Sequence, residues 1–266
     1  MERLMLLQLQ AQGVAAEAWL NGVMVARAGP GRPLVSVPVH EYALAGRNQI
    51  ELRIAPRPPD QQDLPPELHW AEQPLIAAAS ILLPRIGAPA DELQARSLAT
   101  CSWSADEGDA IRLPDVETVE VDLPLKFPRW RWLDAPPVEP GAALRLQVLA
   151  FLQQLALDLA RGQTESFLAA TRLRTEELAL AYQRSPDQEL LRLRSQLERL
   201  YAAKRLQWQP LQASGLQLRA LAGGRLLECL DAQGEPALRT APDAGGSLLA
   251  LPLRLAIVEG KIYVLR

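Results

Sequence analysis

The chain has 266 residues, of which 48% are apolar and 22% charged, and its formal net charge at pH 7 is −3. This composition is typical of a folded globular protein and argues against a disordered chain. The charge provides no basic stripe for nucleic acid and no attraction to an anionic membrane surface. The length predicts two domains.

Cys101 and Cys229 are the only cysteines, and they lie far apart in the chain. This predicts two reduced, buried thiols and neither a disulfide framework nor a metal-ligand pair. The apolar N-terminal run is broken by Gln8 and Gln10, so it lacks the uninterrupted core of a signal peptide, and no stretch approaches the roughly 18 to 20 apolar residues of a membrane span. We expect a cytoplasmic protein that contacts no membrane.

In the first half of the chain, short apolar runs with a period of two predict β-strands. Turn residues and prolines separate these runs, and no convincing helix lies among them. Several short strands divided by turns predict an antiparallel β-sandwich. Residues 57–70 and 87–95 are interpreted as excursions over its surface. The predicted strands carry Leu7, Leu9 and Ala11; Val35, Val37 and Val39; Ile50, Leu52 and Ile54; residues 74–84; residues 97–105; and residues 116–127, in which Val119, Val121 and Leu123 share one face.

The stretch AWLNGVMVA contains Asn21-Gly22, which tolerates the positive φ values of a type I′ turn and predicts a hairpin pairing Leu20 with Val23. In VPVHEYALAGRNQIELRI, the residues Gly46-Arg47-Asn48 predict a turn. Together the two stretches resemble the accessory jelly-roll sandwich of the galactose-binding-like superfamily. The resemblance implies the fold of the first domain, but since many members bind no sugar it transfers no binding residue.

The proline-rich window LDAPPVEPG, Leu133 to Gly141, interrupts both helix and central strand and predicts a linker. Composition also changes there, from short β-rich runs to long segments with helical spacing. We therefore predict a β-sandwich domain over residues 1–134, a linker over 135–141 and an α+β domain over 142–266.

After the linker, three helices are predicted. The first places Leu144, Val148, Leu155 and Leu159, with Phe151 or Leu152, on one stripe and ends at Gly162. The second covers residues 164–185, and the third begins at Ser185-Pro186, an N-cap followed by proline in the first helical position. Its apolar stripe consists of Leu190, Leu193, Leu197 and Leu200.

The remaining residues predict strands joined by turns at Gly223-Gly224, Asp231 to Gly234 and Glu259-Gly260. Helices followed by strands in separate blocks predict an α+β domain. The element order and the closing LAIVEGKIYVLR resemble the cone-shaped fold of nuclear transport factor and ketosteroid isomerase proteins, although that family usually places a strand between helices. The resemblance implies three helices packed on a curved antiparallel sheet.

No catalytic constellation is recognisable. His40 and His69 both lie before the linker and are interpreted as surface or loop-anchoring residues, and no metal-ligand spacing, nucleophile elbow or phosphate loop occurs. Tyr182 and Glu228 are the candidates for polar residues that line a cavity in the second domain. Arginines of the third helix, Arg192, Arg194 and Arg199, are interpreted as a solvated face.

The most suggestive cluster is FPRWRWLDAPP, which places Trp130 and Trp132 on one face of an extended segment and Arg129 and Arg131 on the other. Aromatic and arginine side chains are enriched where partners bind, and aromatics can stack on sugars. The simpler interpretation is that they fill a groove between the two domains.

Three function classes remain open. The leading hypothesis is a non-catalytic interaction or accessory protein that binds another protein through one or both domains. The alternative is a binder of a small molecule or carbohydrate, using the sandwich loops or a cavity in the C-terminal domain. The third is an enzyme of unrecognised type. No cofactor, metal or nucleic-acid partner is predicted.

Overall fold

The computed structural model describes residues 4–57, 61, 64–84, 95–123, 127–242 and 245–266. It consists of antiparallel β-sheets and three α-helices, an α+β protein. The chain divides into two compact units, Met1–Arg129 and Trp130–Arg266. The predicted surface span 87–95 lies, except for its last residue, outside the described residues.

The strands of the first unit are β1 Leu6–Gln12, β2 Ala16–Leu20, β3 Val23–Ala28, β4 Leu34–Pro38, β5 Gly46–Ile54, β6 Glu67–Trp70, β7 Leu75–Leu83, β8 Arg96–Ala105, β9 Ala110–Leu113 and β10 Asp115–Leu123. They form two four-stranded antiparallel sheets, ordered β4-β1-β7-β8 and β10-β5-β2-β3, and a two-stranded sheet β6-β9.

The two larger sheets of the first unit share one hydrophobic core. The predicted inward faces of β1 and β5 are buried as expected, and alternate residues of β7 join them. Burial of these side chains is the main stabilisation of the unit, at roughly 1.5 to 3 kcal/mol for each large aliphatic group. The residues that each sheet contributes include Leu7, Leu9 and Ile81 from one and Leu20, Ile50, Leu52 and Ile54 from the other.

The hairpin at Asn21-Gly22 is confirmed. Both residues have positive φ, 53° and 76°, and β2 pairs with β3 so that Leu20 lies opposite Val23. A type I′ turn requires that backbone at both central positions, which Asn and Gly adopt at the lowest steric cost.

Two local predictions are wrong. Gly46-Arg47-Asn48 is not a turn but the start of β5, which pairs with β10 from Gly46 onward. The span 57–70 is not entirely a surface excursion, because Glu67–Trp70 forms β6 and pairs with β9. His69 therefore lies on a strand, where it is exposed. Strand β6 does alternate polar and apolar residues, but over only four positions, which is the shortest run that identifies a strand in a sequence.

His40 anchors the start of β1. It lies in a short 3-10 turn, His40–Tyr42, and is buried. Its Nε2 accepts a hydrogen bond from the backbone N–H of Met5 at 2.8 Å, and its ring centroid lies 5.3 Å from that of Phe127. The Nε2 atom therefore acts as an acceptor that satisfies a buried backbone donor.

Asn48 is the centre of a buried amide network next to the hairpin. Its Oδ1 accepts hydrogen bonds from the backbone N–H of Leu44 at 2.7 Å and from Nδ2 of Asn21 at 2.8 Å. Its Nδ2 donates to the carbonyls of Leu44 and Gly46 at 2.9 and 2.7 Å. The two asparagines thus join the β2–β3 turn to the loop before β5, which explains why the two motifs occur together.

Replacing Asn48 with alanine removes the side-chain partner of three backbone groups, the N–H and carbonyl of Leu44 and the carbonyl of Gly46. We expect Asn48→Ala to lower the free energy of unfolding by about 2 to 3 kcal/mol in chemical denaturation. Gln49→Ala, at the exposed neighbouring position, is the control and changes it by less than about 0.5 kcal/mol. Equal effects of the two substitutions would contradict the importance of the buried network.

The second unit contains three helices followed by strands, as predicted. The helices are α1 Ala142–Ala160, α2 Glu165–Ala181 and α3 Pro186–Ala202. The strands are β11 Gln217–Leu221, β12 Leu226–Leu230, β13 Leu238–Arg239, β14 Ala250–Leu251, β15 Arg254–Val258 and β16 Lys261–Val264. They form a four-stranded antiparallel sheet, β11-β12-β15-β16, and a two-stranded sheet, β13-β14.

Leucines fill the space between the helices and the sheet. The predicted stripe of α1 is buried at Val148, Leu152, Leu155 and Leu159, and it packs with the inward face of the sheet. Leu197 of α3 joins this core. Ser185 caps α3 by accepting a hydrogen bond from Gln188 N–H at 3.4 Å, and Pro186 takes the first helical position, as predicted.

The segment predicted as a linker, residues 135–141, belongs to the second unit, where the β11–β12 hairpin holds it. The backbone N–H of Val138 donates to the carbonyl of Gly224 at 2.9 Å, and Nη1 of Arg225 donates to the carbonyl of Ala135 at 2.8 Å.

Both cysteines are free and buried. Burial raises the pKa of the Cys101 thiol, and the nearby Glu117 carboxylate adds to the rise. Burial also raises the pKa of Cys229, with a further contribution from Glu228. Both thiols are therefore protonated at neutral pH and poorly reactive.

Candidate functional site

In the tryptophan and arginine cluster of residues 129–132, the two tryptophans are buried and the two arginines are exposed. Trp130 and Trp132 are 0% and 2% exposed. Arg131–Asp134 forms a short 3-10 helix, so the prediction of an extended segment is wrong from Arg131 onward. Neither indole presents a face on which a sugar ring could stack, whereas Arg129 is exposed. Filling of an interdomain groove by the tryptophans stays a prediction.

The backbone and side chain of Arg131 attach this segment to α2. Its N–H donates to the buried carboxylate of Glu177 at 2.6 Å, and its Nη2 donates to Glu176 at 2.9 Å. Arg266 supplies a second donor to Glu177, from Nη1 at 2.5 Å, and its guanidinium carbon lies 5.7 Å from the centre of the Trp130 ring. The cluster that looked like a binding surface in the sequence therefore holds the second unit together.

Glu176 is the partly exposed partner in this attachment. A hydrogen bond from Arg172, and after it one from Arg131, holds the pKa of Glu176 below its ordinary value against the effect of partial burial. A carboxyl with a lowered pKa in the folded state stabilises the fold above its unfolded pKa and loses that contribution as the pH falls through the folded pKa.

Glu228 forms a buried ion trio with Arg219 and Arg254. Arg219 lies on β11, Glu228 on β12 and Arg254 on β15, which are neighbouring strands. Glu228 is 3% exposed, Arg219 6% and Arg254 9%. Arg219 donates to Glu228 Oε2 from Nε at 2.9 Å and also from Nη2, and Arg254 donates to Oε1 from Nε and Nη2, both at 3.3 Å. Both oxygens of the carboxylate therefore accept hydrogen bonds from charged donors.

Removing the charge of Glu228 leaves two buried guanidinium groups without their counter-ion. We expect Glu228→Gln to lower the free energy of unfolding by about 3 to 5 kcal/mol in chemical denaturation. Glu198→Gln, at an exposed position of α3, is the matched control and has an effect below about 0.5 kcal/mol. A Glu228→Gln protein as stable as the control would show that the trio is not a structural centre.

Tyr182 ends α2 and lies beside a cavity that α2 and α3 form. The guanidinium carbon of Arg184 is 5.5 Å from the centre of the Tyr182 ring. The cavity has a volume of about 280 Å³. Its lining residues are Arg174, Thr175, Leu178, Arg184, Glu189, Arg192, Leu193 and Gln196. Tyr182 and Glu228 therefore do not share a cavity in the second unit, since Glu228 is enclosed by its arginine partners.

A second cavity, of about 410 Å³, lies between the loop of residues 209–216 and the turn after β12. Its charged groups already pair with each other: Arg239 forms an ion pair with Asp231 and donates to Gln209 at 3.3 Å. The other Asp231 oxygen accepts backbone hydrogen bonds from Gln233 and Glu235, both at 2.9 Å. These contacts fix the turn.

Helix α1 carries a second apolar stripe, opposite to its buried one. Five of its residues are exposed at alternating spacings of three and four, and we call them the α1 seam. Leu146 and Leu157 are 58% and 44% exposed. This spacing is the one that lets a helix pack along a partner helix. The seam consists of Ala143, Leu146, Ala150, Gln153 and Leu157.

The seam leads into an open groove of about 390 Å³. Residues of the last turns of α1 form one wall, and the segment 207–211, with Trp208 and Pro210, forms the other. Gln153 ties the two walls together, because its Nε2 donates to the carbonyl of Leu211 at 3.0 Å. The seam and groove form a continuous, mainly apolar surface without a charged side chain among its seam residues.

Helix α1 is also long and apolar enough to cross a membrane, by length and composition alone. Such a property in one helix is weak evidence, since the core helix of a globular unit passes the same test. Here one face of α1 packs into the core of the second unit.

Sequence reasoning missed the seam because the buried stripe of α1 explained its apolar residues. The signal was present: a helix with only Arg145 and Asp158 as charged residues has more apolar surface than one buried face requires. The arginine-lined cavity gave no local signal, since Arg174 and Arg192 come from different helices. Among the described residues, no group of three or more His, Cys, Asp or Glu side chains is placed to hold a metal.

Comparison of the chain with protein-family models, curated proteins and solved structures finds no match. Function is therefore inferred from the surfaces and contacts of the chain itself.

Proposed function

We propose that the protein is a non-catalytic interaction protein that binds a partner protein through the α1 seam and the adjoining groove. The observation that carries this proposal is the exposure of Leu146 and Leu157, at 58% and 44%, on a helix whose opposite face is already buried. Large apolar side chains aligned on one surface indicate an interaction site.

The spacing of the α1 seam favours an amphipathic helix as the bound element. Small residues at Ala143 and Ala150 alternate with leucines, so a partner helix could approach closely and place its own side chains between them. Trp208 in the groove is of the residue type most often found at interaction hot spots. The cytoplasmic location expected from the sequence is part of this proposal.

The buried clusters support a non-catalytic function. The carboxylate of Glu228 already accepts four hydrogen bonds from arginines, and Trp130 and Trp132 are enclosed. Three of the residues that the sequence suggested for chemistry or ligand binding, Trp130, Trp132 and Glu228, are thus buried in structural contacts.

Charged substitutions in the seam test the proposal. We expect Leu146→Glu to weaken binding of the partner protein by about 30-fold in Kd, equivalent to about 2 kcal/mol, because it places a charge in an apolar interface. The matched control is Leu191→Glu on α3, since Leu191 is 62% exposed and lies outside the seam. Tagged wild type and both variants are used to capture proteins from an extract of the source organism, and the captured protein is then purified and titrated directly.

A stoichiometric partner that is lost with Leu146→Glu and kept with Leu191→Glu is the expected result. Equal binding to all three proteins, or no direct binding to the purified wild type, would overturn the proposal. Flotation with lipid vesicles that depends on Leu146 would instead assign the seam to a membrane surface.

The alternative of carbohydrate binding has one observation in its favour. Trp70 of β6 is 67% exposed, and Leu68, two residues earlier on the same strand, is 57% exposed. An open indole is a surface on which a sugar ring can stack. Under this alternative, a sugar raises the melting temperature of the wild type and fails to raise that of Trp70→Ala, while Leu146→Glu has no effect on the rise.

We also propose finer descriptions of the two units. Two antiparallel four-stranded sheets with a common core support a jelly-roll-like sandwich, similar to the galactose-binding-like superfamily, for the first unit. Three helices packed on a four-stranded antiparallel sheet support a cone-like fold for the second.

A further inference from the structure

We propose that the cavity between α2 and α3 binds a phosphate group carried by a small molecule. We call this cavity the arginine pocket. Three arginine residues, Arg174, Arg184 and Arg192, line it together with one acidic residue, Glu189. The lining therefore has a formal charge of +2, the complement of a phosphate monoester dianion. This site is separate from the α1 seam.

Arg184 and Arg192 already bind an anionic group, the carboxylate of Glu189. Glu189 accepts hydrogen bonds from Arg192 Nη1 at 2.5 Å and from Arg184 Nη1 at 3.4 Å. Its side chain is 19% exposed, whereas those of Arg184 and Arg192 are 54% and 67% exposed. Both guanidinium groups thus keep donors directed at solvent while Glu189 holds them at the rim of the cavity.

The number of arginines in the lining favours binding of a phosphate over binding of a carboxylate. A carboxylate has two oxygens and is satisfied by one or two arginines, whereas a phosphate monoester has three outer oxygens and can use more of the donors that a lining with several arginines offers. Leu178 and Leu193 supply apolar lining against which the body of the ligand can pack. A volume of about 280 Å³ suits a small ligand.

One contact positions Arg184, and the start of α3 adds to the positive potential around it. The ring of Tyr182 lies 5.5 Å from its guanidinium carbon, a cation–π distance. Arg184 also directly precedes Ser185, the N-cap of α3, so the partial positive charge of the helix start adds to the positive potential there. Positioning before binding reduces the entropy lost when a ligand is bound.

Calorimetric titration with inorganic phosphate and with pyrophosphate, at constant ionic strength, tests the proposal on the full chain. We expect both to bind, and Arg192→Gln and Arg184→Gln each to weaken binding by about tenfold, since each removes a charge-assisted contact. The matched control is Arg194→Gln, because Arg194 lies on the same helix but pairs with Glu165 at 3.0 Å outside the pocket. It changes binding by less than about twofold.

Glu189→Gln provides the opposite change, because the ligand then no longer competes with a carboxylate for the arginines. We expect Glu189→Gln to tighten phosphate binding by several-fold. Arg192→Lys keeps the positive charge but lacks the planar, forked donors of a guanidinium, so it should recover only part of the affinity that Arg192→Gln loses. Circular dichroism checks that each variant is folded.

Several results would overturn the proposal: the absence of measurable phosphate and pyrophosphate binding, an Arg194→Gln effect equal to that of Arg192→Gln, or weaker binding by Glu189→Gln. Tighter binding of citrate than of pyrophosphate would assign the pocket to carboxylates instead. None of these results bears on the α1 seam, since Leu146→Glu leaves the pocket unchanged.

Discussion

The organising constraint of the second unit is that α1 is apolar on two faces but can bury only one of them in its own core. Val148, Leu152 and Leu159 bind the helix to the sheet and to its neighbouring helices, and this packing fixes which face points outward. Leu146 and Leu157 are left exposed as a consequence. A helix with one buried face normally has a polar opposite face that is solvated by water, and α1 lacks such a face. The proposed interaction follows from that excess of apolar surface.

Charged residues in the same unit divide into two groups by burial. The trio around Glu228 and the pair of Glu177 with Arg266 are buried ion pairs, so they stabilise the packing of strands and helices. Arg184 and Arg192 are anchored through Glu189 but remain open to solvent. Both groups contain arginine–glutamate pairs, and only the exposed group is available to a ligand. Residue type alone therefore does not identify a site in this chain.

Much of the architecture could be predicted, because local rules control it. The turn at Asn21-Gly22, the cap at Ser185 and the inward faces of β1, β5 and α1 follow from backbone preferences and periodicity. The roles of Trp130 and Glu228 could not be predicted, because their partners, such as Arg266 for the first and Arg254 for the second, lie far away in the sequence. The exposure of Leu146 and the meeting of Arg174 with Arg192 depend on how helices pack, which periodicity does not specify.

The most direct measurement of the central claim is the labelling rate of a thiol placed in the α1 seam. Ala150 is exposed and both native cysteines are buried, so Ala150→Cys adds one reactive thiol. Labelling is followed by mass spectrometry for the purified chain and for the same chain in an extract of the source organism, with Ser195→Cys on the exposed side of α3 as the reference. The seam thiol should react roughly tenfold more slowly in the extract, while the reference rate is unchanged. Equal protection of both thiols, or of neither, would contradict a partner bound at the seam.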